Sequence, residues 1–107
     1  MLTQEAAIKS YLPMTETMFY ILLSLAEPRH GYGVFLYVRE LTGGRIRLGA
    51  GTIYNSLARL ERDGLIRLHS ETDRRKLYHI LGNGRAVLKG ELTRMEELLT
   101  NGRKNIS

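Results

Sequence analysis

Residues 52–81 read TIYNSLARLERDGLIRLHSETDRRKLYHIL, and this stretch decides the fold. Ile53, Leu57 and Leu60 recur at spacings of four and three, the period of a helix with one buried face. Thr52 stands where an N-cap is expected and Gly64 where a helix stops. The other face carries Thr52, Asn55, Ser56 and Arg59, and Tyr54 falls on the boundary between the two. The period then drops to two. Ile66 and Leu68 alternate with Arg67 and His69, and Tyr78 and Ile80 alternate with Leu77 and His79. Strands at 65–68 and 77–81 are predicted, joined by a polar tip at 70–76 that ends in Arg74, Arg75 and Lys76.

Upstream, Met18, Ile21, Leu22 and Leu25 predict a helix over 15–26, capped by Thr15 and stopped by Pro28. Phe19, Tyr20 and Leu23 widen its apolar surface, so burial on more than one side is expected. Pro13 separates it from a short helix within 2–12. Val34, Tyr37 or Val38, and Leu41 predict another helix that begins at His30-Gly31-Tyr32 and ends at Thr42-Gly43-Gly44. Arg45-Ile46-Arg47-Leu48 alternates basic and apolar residues and reads as a very short strand.

Downstream, a long helix is predicted from about Asn83 to Leu99 or beyond. Leu88, Leu92, Met95 and Leu99 form a heptad seam supported by Val87 and Leu98. Such a stripe either packs along the chain's own first helix or meets a second copy. A chain of 107 residues leaves little else to cover it, which favours a dimer.

The expected fold class is therefore mostly α with a small β-hairpin wing: a winged helix-turn-helix plus a C-terminal dimerisation helix. Residues 1–82 would form the winged domain, with a helical extension at 1–12, and residues 83–107 the dimerisation helix and tail.

Composition narrows the function. The absence of cysteine excludes disulfides, thiolate nucleophiles and Cys-ligated metal sites. His30, His69 and His79 lack metal-ligand spacing, Gly49-Ala50-Gly51-Thr52 lacks the lysine of a phosphate-binding loop, and no catalytic constellation stands out. No enzyme activity, cofactor or metal is expected. The first twelve residues do not resemble a secretory leader, and Met18–Ala26 is far too short to span a bilayer. A cytoplasmic location with no membrane partner is expected.

The net charge of +5 is unevenly placed. Residues 1–42 carry −1, residues 43–85 carry +5 and residues 86–107 carry +1. The excess sits on the segment holding the 52–63 helix and the hairpin, the footprint of a protein that grips double-stranded DNA. In a winged arrangement that helix enters the major groove while the hairpin tip meets phosphates or the adjacent minor groove.

Thr52, Asn55 and Ser56 lie at the helix start, where free N–H groups favour phosphate; Asn55 could instead pair with an adenine edge. Arg59 reads as a phosphate contact rather than a guanine reader. Tyr54 either touches DNA or packs on the preceding helix, and Tyr32 either touches DNA or serves tight packing at the start of its own helix. His30-Gly31-Tyr32 lies near where the duplex backbone should cross. Arg74, Arg75 and Lys76 are either a solvated turn or the grip of the wing. A rival reading, a winged module that binds protein or ligand without DNA, leaves three successive cations on the wing unexplained.

Four motifs in order carry a resemblance: His30-Gly31-Tyr32-Gly33-Val34, Leu48-Gly49-Ala50-Gly51-Thr52-Ile53-Tyr54, residues 57–66 (LARLERDGLI), and residues 74–80 (RRKLYHI). Over about residues 11–92 the chain resembles the PadR family of transcriptional regulators, in its short form with one C-terminal helix. The resemblance implies a repressor that dimerises through the last helix and often answers to a small molecule. By the same analogy an apolar effector would sit between the dimerising helices and the first helix, walled by Tyr11, Phe19, Met95 or Leu99. Leu81-Gly82-Asn83-Gly84 departs from the family's pattern before the last helix, and Asn83 is the expected substitute cap.

Overall fold

A computed structural model describes residues 1–106. The elements are α1 (Gln4–Tyr11), α2 (Glu16–Ser24), α3 (Gly31–Leu41), α4 (Ala50–Arg62), β1 (Ile66–Thr72), β2 (Arg75–Ile80) and α5 (Gly82–Ile106). This is a winged helix-turn-helix with helices added at both ends. No helix among the described residues is long and apolar enough to cross a membrane.

α2 is the hub because its sequence is apolar nearly all round. Ile21, Leu22, Ser24 and the following Leu25 are fully buried, and α3, α4 and α5 each pack on it. Thr15 caps α2 as expected, accepting the Met18 N–H at 3.1 Å. α3 contributes Val34 and Val38 to the core, and α4 contributes Ile53, Leu57 and Leu60.

The expected strand at 45–48 does not form. The Thr42 hydroxyl donates to the Val38 carbonyl at 2.8 Å and accepts the Ile46 N–H at 3.1 Å, which folds the chain back after α3. Leu48 is buried and Ile46 half-buried, so the alternation there records a loop lying flat on the core. The outer edge of β2 is bridged instead by Arg29: its N–H donates to the Tyr78 carbonyl at 3.1 Å and its carbonyl accepts the Tyr78 N–H at 2.9 Å.

The hairpin is longer than its hydrophobic pattern. β1 and β2 pair antiparallel from Ile66↔Ile80 to Thr72↔Arg75, with His69 as the extra residue of a bulge. The expected seven-residue tip therefore shrinks to a two-residue turn, Asp73-Arg74. The polar residues on either side still make ladder hydrogen bonds, because pairing needs no apolar face once the turn sets the register.

α5 begins earlier than expected, and Asn83 does not cap it. The Leu81 carbonyl accepts the Arg85 N–H at 3.0 Å, while the Asn83 amide donates to the Leu2 carbonyl at 3.2 Å. The side chain ties the segment before α1 to the start of α5. A β-carbon at Gly84 would lie 2.4 Å from the Leu65 carbonyl oxygen and 2.7 Å from Ile80 Cγ1, so only glycine lets α5 cross the base of the hairpin.

Two buried carboxylates brace the helices. Asp63, just past α4, accepts the Tyr11 hydroxyl at 2.7 Å and Arg62 at 3.1 and 3.2 Å. Glu91 on α5 is gripped at both oxygens by Arg94, each at 2.7 Å. These arginine contacts hold both carboxyls below the usual range in spite of burial, with Tyr11 helping at Asp63 and the Met14 backbone N–H at Glu91. Burial, chiefly, and the Asp63 contact push the Tyr11 phenol well above its usual range.

Gly84→Ala should cost about 1–3 kcal/mol through overpacking against backbone, whereas Gly82→Ala, in open space, should stay within about 0.5 kcal/mol; thermal melts of the two variants check this. The depressed carboxyls make the unfolded chain the better proton binder in acid. Their stabilisation is complete only above about pH 5, clear of the unfolded values, and falls away as pH drops through the folded values. Chemical denaturation from pH 7 to pH 2 should show Glu91→Gln less stable than wild type at pH 7, with a shallower decline in acid.

Candidate nucleic-acid interface

α4 starts two residues before Thr52. Gly49 takes the N-cap position, without a side-chain cap, and its carbonyl accepts the Ile53 N–H at 3.1 Å. Thr52 is thus an exposed residue of the first turn. The leading N–H groups lack a capping side chain and carry the positive end of the helix dipole, the arrangement that suits an anion.

Burial of Ile53, Leu57 and Leu60 turns Thr52 and Asn55 outward, with Ser56 half-buried beside them. Tyr54 does both things its position allows. It stays 60% exposed, yet its ring lies so close over Gly31 that a β-carbon there would be 2.8 Å from the phenol oxygen. His30 opens α3, its Nδ1 accepting the Gly33 N–H at 3.2 Å. Tyr32, on the first turn of α3, is 61% exposed.

The wing faces these residues. A two-residue hairpin turn of type I′, one of the two that match the strand twist, requires positive φ at both positions. Asp73 and Arg74 comply at 49° and 65°, although an arginine is unfavourable there. The result is a cleft of about 360 Å³ with His30, Tyr32 and Tyr54 on one side and Arg74, Arg75 and Lys76 on the other. Gly31 and Tyr78 complete it, and no acidic side chain lines it. Among the described residues the three wing cations form no ion pair, whereas Arg45 is bound to Glu16, and Arg59 and Arg62 surround Asp63.

Arg59 departs from expectation. Its guanidinium lies 4.4 Å from the Tyr11 ring centroid and its Nε 3.9 Å from Asp63, so it is drawn toward α1 and away from the cleft. The buried carboxylate is the cause, four residues further along at the C-terminal end of α4. Tyr11 lies apart from the hollow that Phe19 and Met95 line, buried and bonded to Asp63.

The other expected effector residues separate. Phe19 and Met95 share a hollow of about 310 Å³ between α2 and α5, together with Met14, Glu91 and Arg94. Leu99 lies outside it. The heptad seam divides as well, since Leu88 is buried within its own chain while Leu92, Met95 and Leu99 are exposed, with Leu98 beside them. His69 and His79 meet edge to face at 5.9 Å on the wing, and among the described residues no three metal-ligating side chains come together.

Sequence reasoning did not identify Gly31 as the seat of Tyr54 or Tyr78 as a cleft wall. Both depend on contacts between segments far apart in the chain, and the motifs containing them were the only available signal.

The family model described as the transcriptional regulator PadR-like family matches residues 20–90. A transcriptional regulator from Clostridium thermocellum shares the fold with a TM-score of 0.71, 23% identity and coverage of 100% of both chains. PadR of Bacillus subtilis, solved in complex with operator DNA, aligns with a TM-score of 0.64 at 23% identity, covering 73% of this chain and 47% of that one. An uncharacterised 37.1 kDa protein in transposon TN4556 of Streptomyces fradiae is 33% identical over 84 residues, 78% of this chain. This chain spans 24% of that relative's length.

Arg74→Gly should relieve the backbone of the turn and raise stability by up to about 1 kcal/mol, read as a higher thermal midpoint, while removing one cation from the cleft.

Proposed function

Because the chain belongs to the PadR-like family of transcriptional regulators, whose members are not enzymes, we propose that it is a homodimeric, sequence-specific DNA-binding repressor. The observation that carries this reading is the cleft, which gathers His30, Tyr32, Tyr54 and three unpaired wing cations with no acidic side chain among them. The uncapped start of α4 lies beside it and presents Thr52, Asn55 and Ser56. In this account the first turns of α4 enter the major groove, Arg74, Arg75 and Lys76 hold phosphates, and His30 and Tyr32 meet the backbone where it crosses α3. The likeness in fold to a PadR solved on operator DNA supports the assignment.

Dimerisation uses residues 83–107, of which Ser107 lies outside the described residues. Leu92, Met95 and Leu99 supply an exposed apolar stripe on α5, while Leu88 anchors the same helix to its own subunit. Two copies joined along α5 would place two α4 helices on half-sites about 34 Å apart. Repression then follows from occupancy of a promoter.

The hollow beside Phe19 and Met95 touches both α2 and α5. A small apolar effector there would act by binding one relative placement of the winged body and dimer helix better than another.

Binding to duplex selected from a random pool should weaken steeply with salt, and replacing Arg74, Arg75 and Lys76 with alanine should lower the logarithmic salt slope by about one for each phosphate that is no longer neutralised. Mobility shifts across a salt series check this. Triple-variant binding as tight and as salt-sensitive as wild type would contradict it.

A further inference from the structure

Next to the basic cleft lies a second hollow of about 220 Å³, sharing Gly31, Tyr32 and Tyr54 with it. Its chemistry is the reverse. Leu48 and Ile53, both buried, form the floor, and no charged side chain lines it. Tyr32 and Phe35 stack at 5.9 Å and 20° on one side, Tyr54 stands on another, and Ala50 of the first turn of α4 sits at the rim. The two tyrosines at its mouth are 61% and 60% exposed, so an apolar notch opens on the same surface that presents the wing cations.

We propose that this notch receives the 5-methyl group of a thymine and so determines part of the operator sequence. The inference rests on the DNA-binding reading above and adds to it a base and a contact. Phosphates and most base edges are polar, and the thymine methyl is the one apolar group that the standard base pairs present in the major groove. The first turn of a recognition helix is the part that reaches those edges, and here that turn supplies Ala50 and Ile53. The cations across the shared wall would hold a phosphate on one side of Tyr54 and thereby set which base stands opposite the notch. Tyr54 separates the two hollows, and its seat on Gly31 keeps the apolar one open. Cytosine at that position carries only a hydrogen at C5 and would leave the notch unfilled.

The test selects duplexes from a random pool with the purified chain, then replaces each thymine of the selected site by deoxyuridine, which removes only the methyl group. At one position in each half-site, affinity should fall about fourfold, compounding to about fifteenfold when both are replaced. Ala50→Leu, which fills the notch from its rim, should bind the thymine duplex more weakly, down to about the level of the uracil duplex, so that thymine and uracil are no longer told apart at that position. Uracil duplexes that all bind as tightly as the parent would overturn the inference, as would an Ala50→Leu variant that still discriminates. Failure to retain any duplex would instead remove the DNA-binding reading on which the inference stands.

Discussion

Everything in this molecule depends on α4 having one apolar face and no more. Ile53, Leu57 and Leu60 fasten it to α2 and α3, so its position is set by the core while its outer face is left free. The far end is held by a second contact of different chemistry. Asp63 takes hydrogen bonds from Tyr11 and Arg62, and the Leu2 N–H donates to the Asp63 carbonyl at 3.1 Å. α1 is therefore a brace on the end of α4 as well as an extension of the winged domain. With its C-terminal end pinned and its N-terminal end uncapped, α4 offers its first turns outward on a rigid support.

The wing is positioned by the same economy of contacts. Ile80 donates its N–H to the Leu25 carbonyl at 2.8 Å and Leu81 to the Leu65 carbonyl at 2.9 Å, which fixes the hairpin base beneath the core. Arg29 bridges the edge of β2 directly before α3, so the start of α3 and the wing stand side by side. That juxtaposition makes the cleft. The cations along it are unopposed, and Arg74 occupies a backbone conformation that glycine would fill with less strain. A residue held at an unfavourable φ in the middle of a basic cleft fits a position kept for binding at some expense to stability. The division of α5 follows similar logic: its first half is part of the core through Val87, Leu88 and Glu91, and its second half is exposed.

The order and type of the main elements were legible because they rest on periodicity. A spacing of three and four in α2, α3, α4 and α5, and of two in the hairpin, survives any tertiary arrangement. What escaped reading was set by partners distant in sequence. Alternation at 45–48 looked like a strand, but Arg29 had taken the available edge. Thr52 looked like a cap, but Leu48 is buried and α4 starts before it. Asn83 looked like a cap as well, until the chain before α1 arrived to accept its amide. Arg59 faced the expected side of α4, yet a buried carboxylate four residues on redirected it. Of the residues singled out from the sequence, His30, Tyr32, Tyr54, Arg74, Arg75 and Lys76 do converge on one cleft, since their placement follows from the fold itself. The apolar notch beside them has no counterpart in any local pattern.

The most direct measurement is a titration of isotopically labelled protein with a selected duplex, following backbone amides residue by residue. The account predicts that the largest shifts fall on residues 30–32, 50–56 and 74–76, with the exposed half of α5 little changed. Shifts gathered on α1 and α5, with residues 50–56 and 74–76 unmoved at saturation, would contradict it.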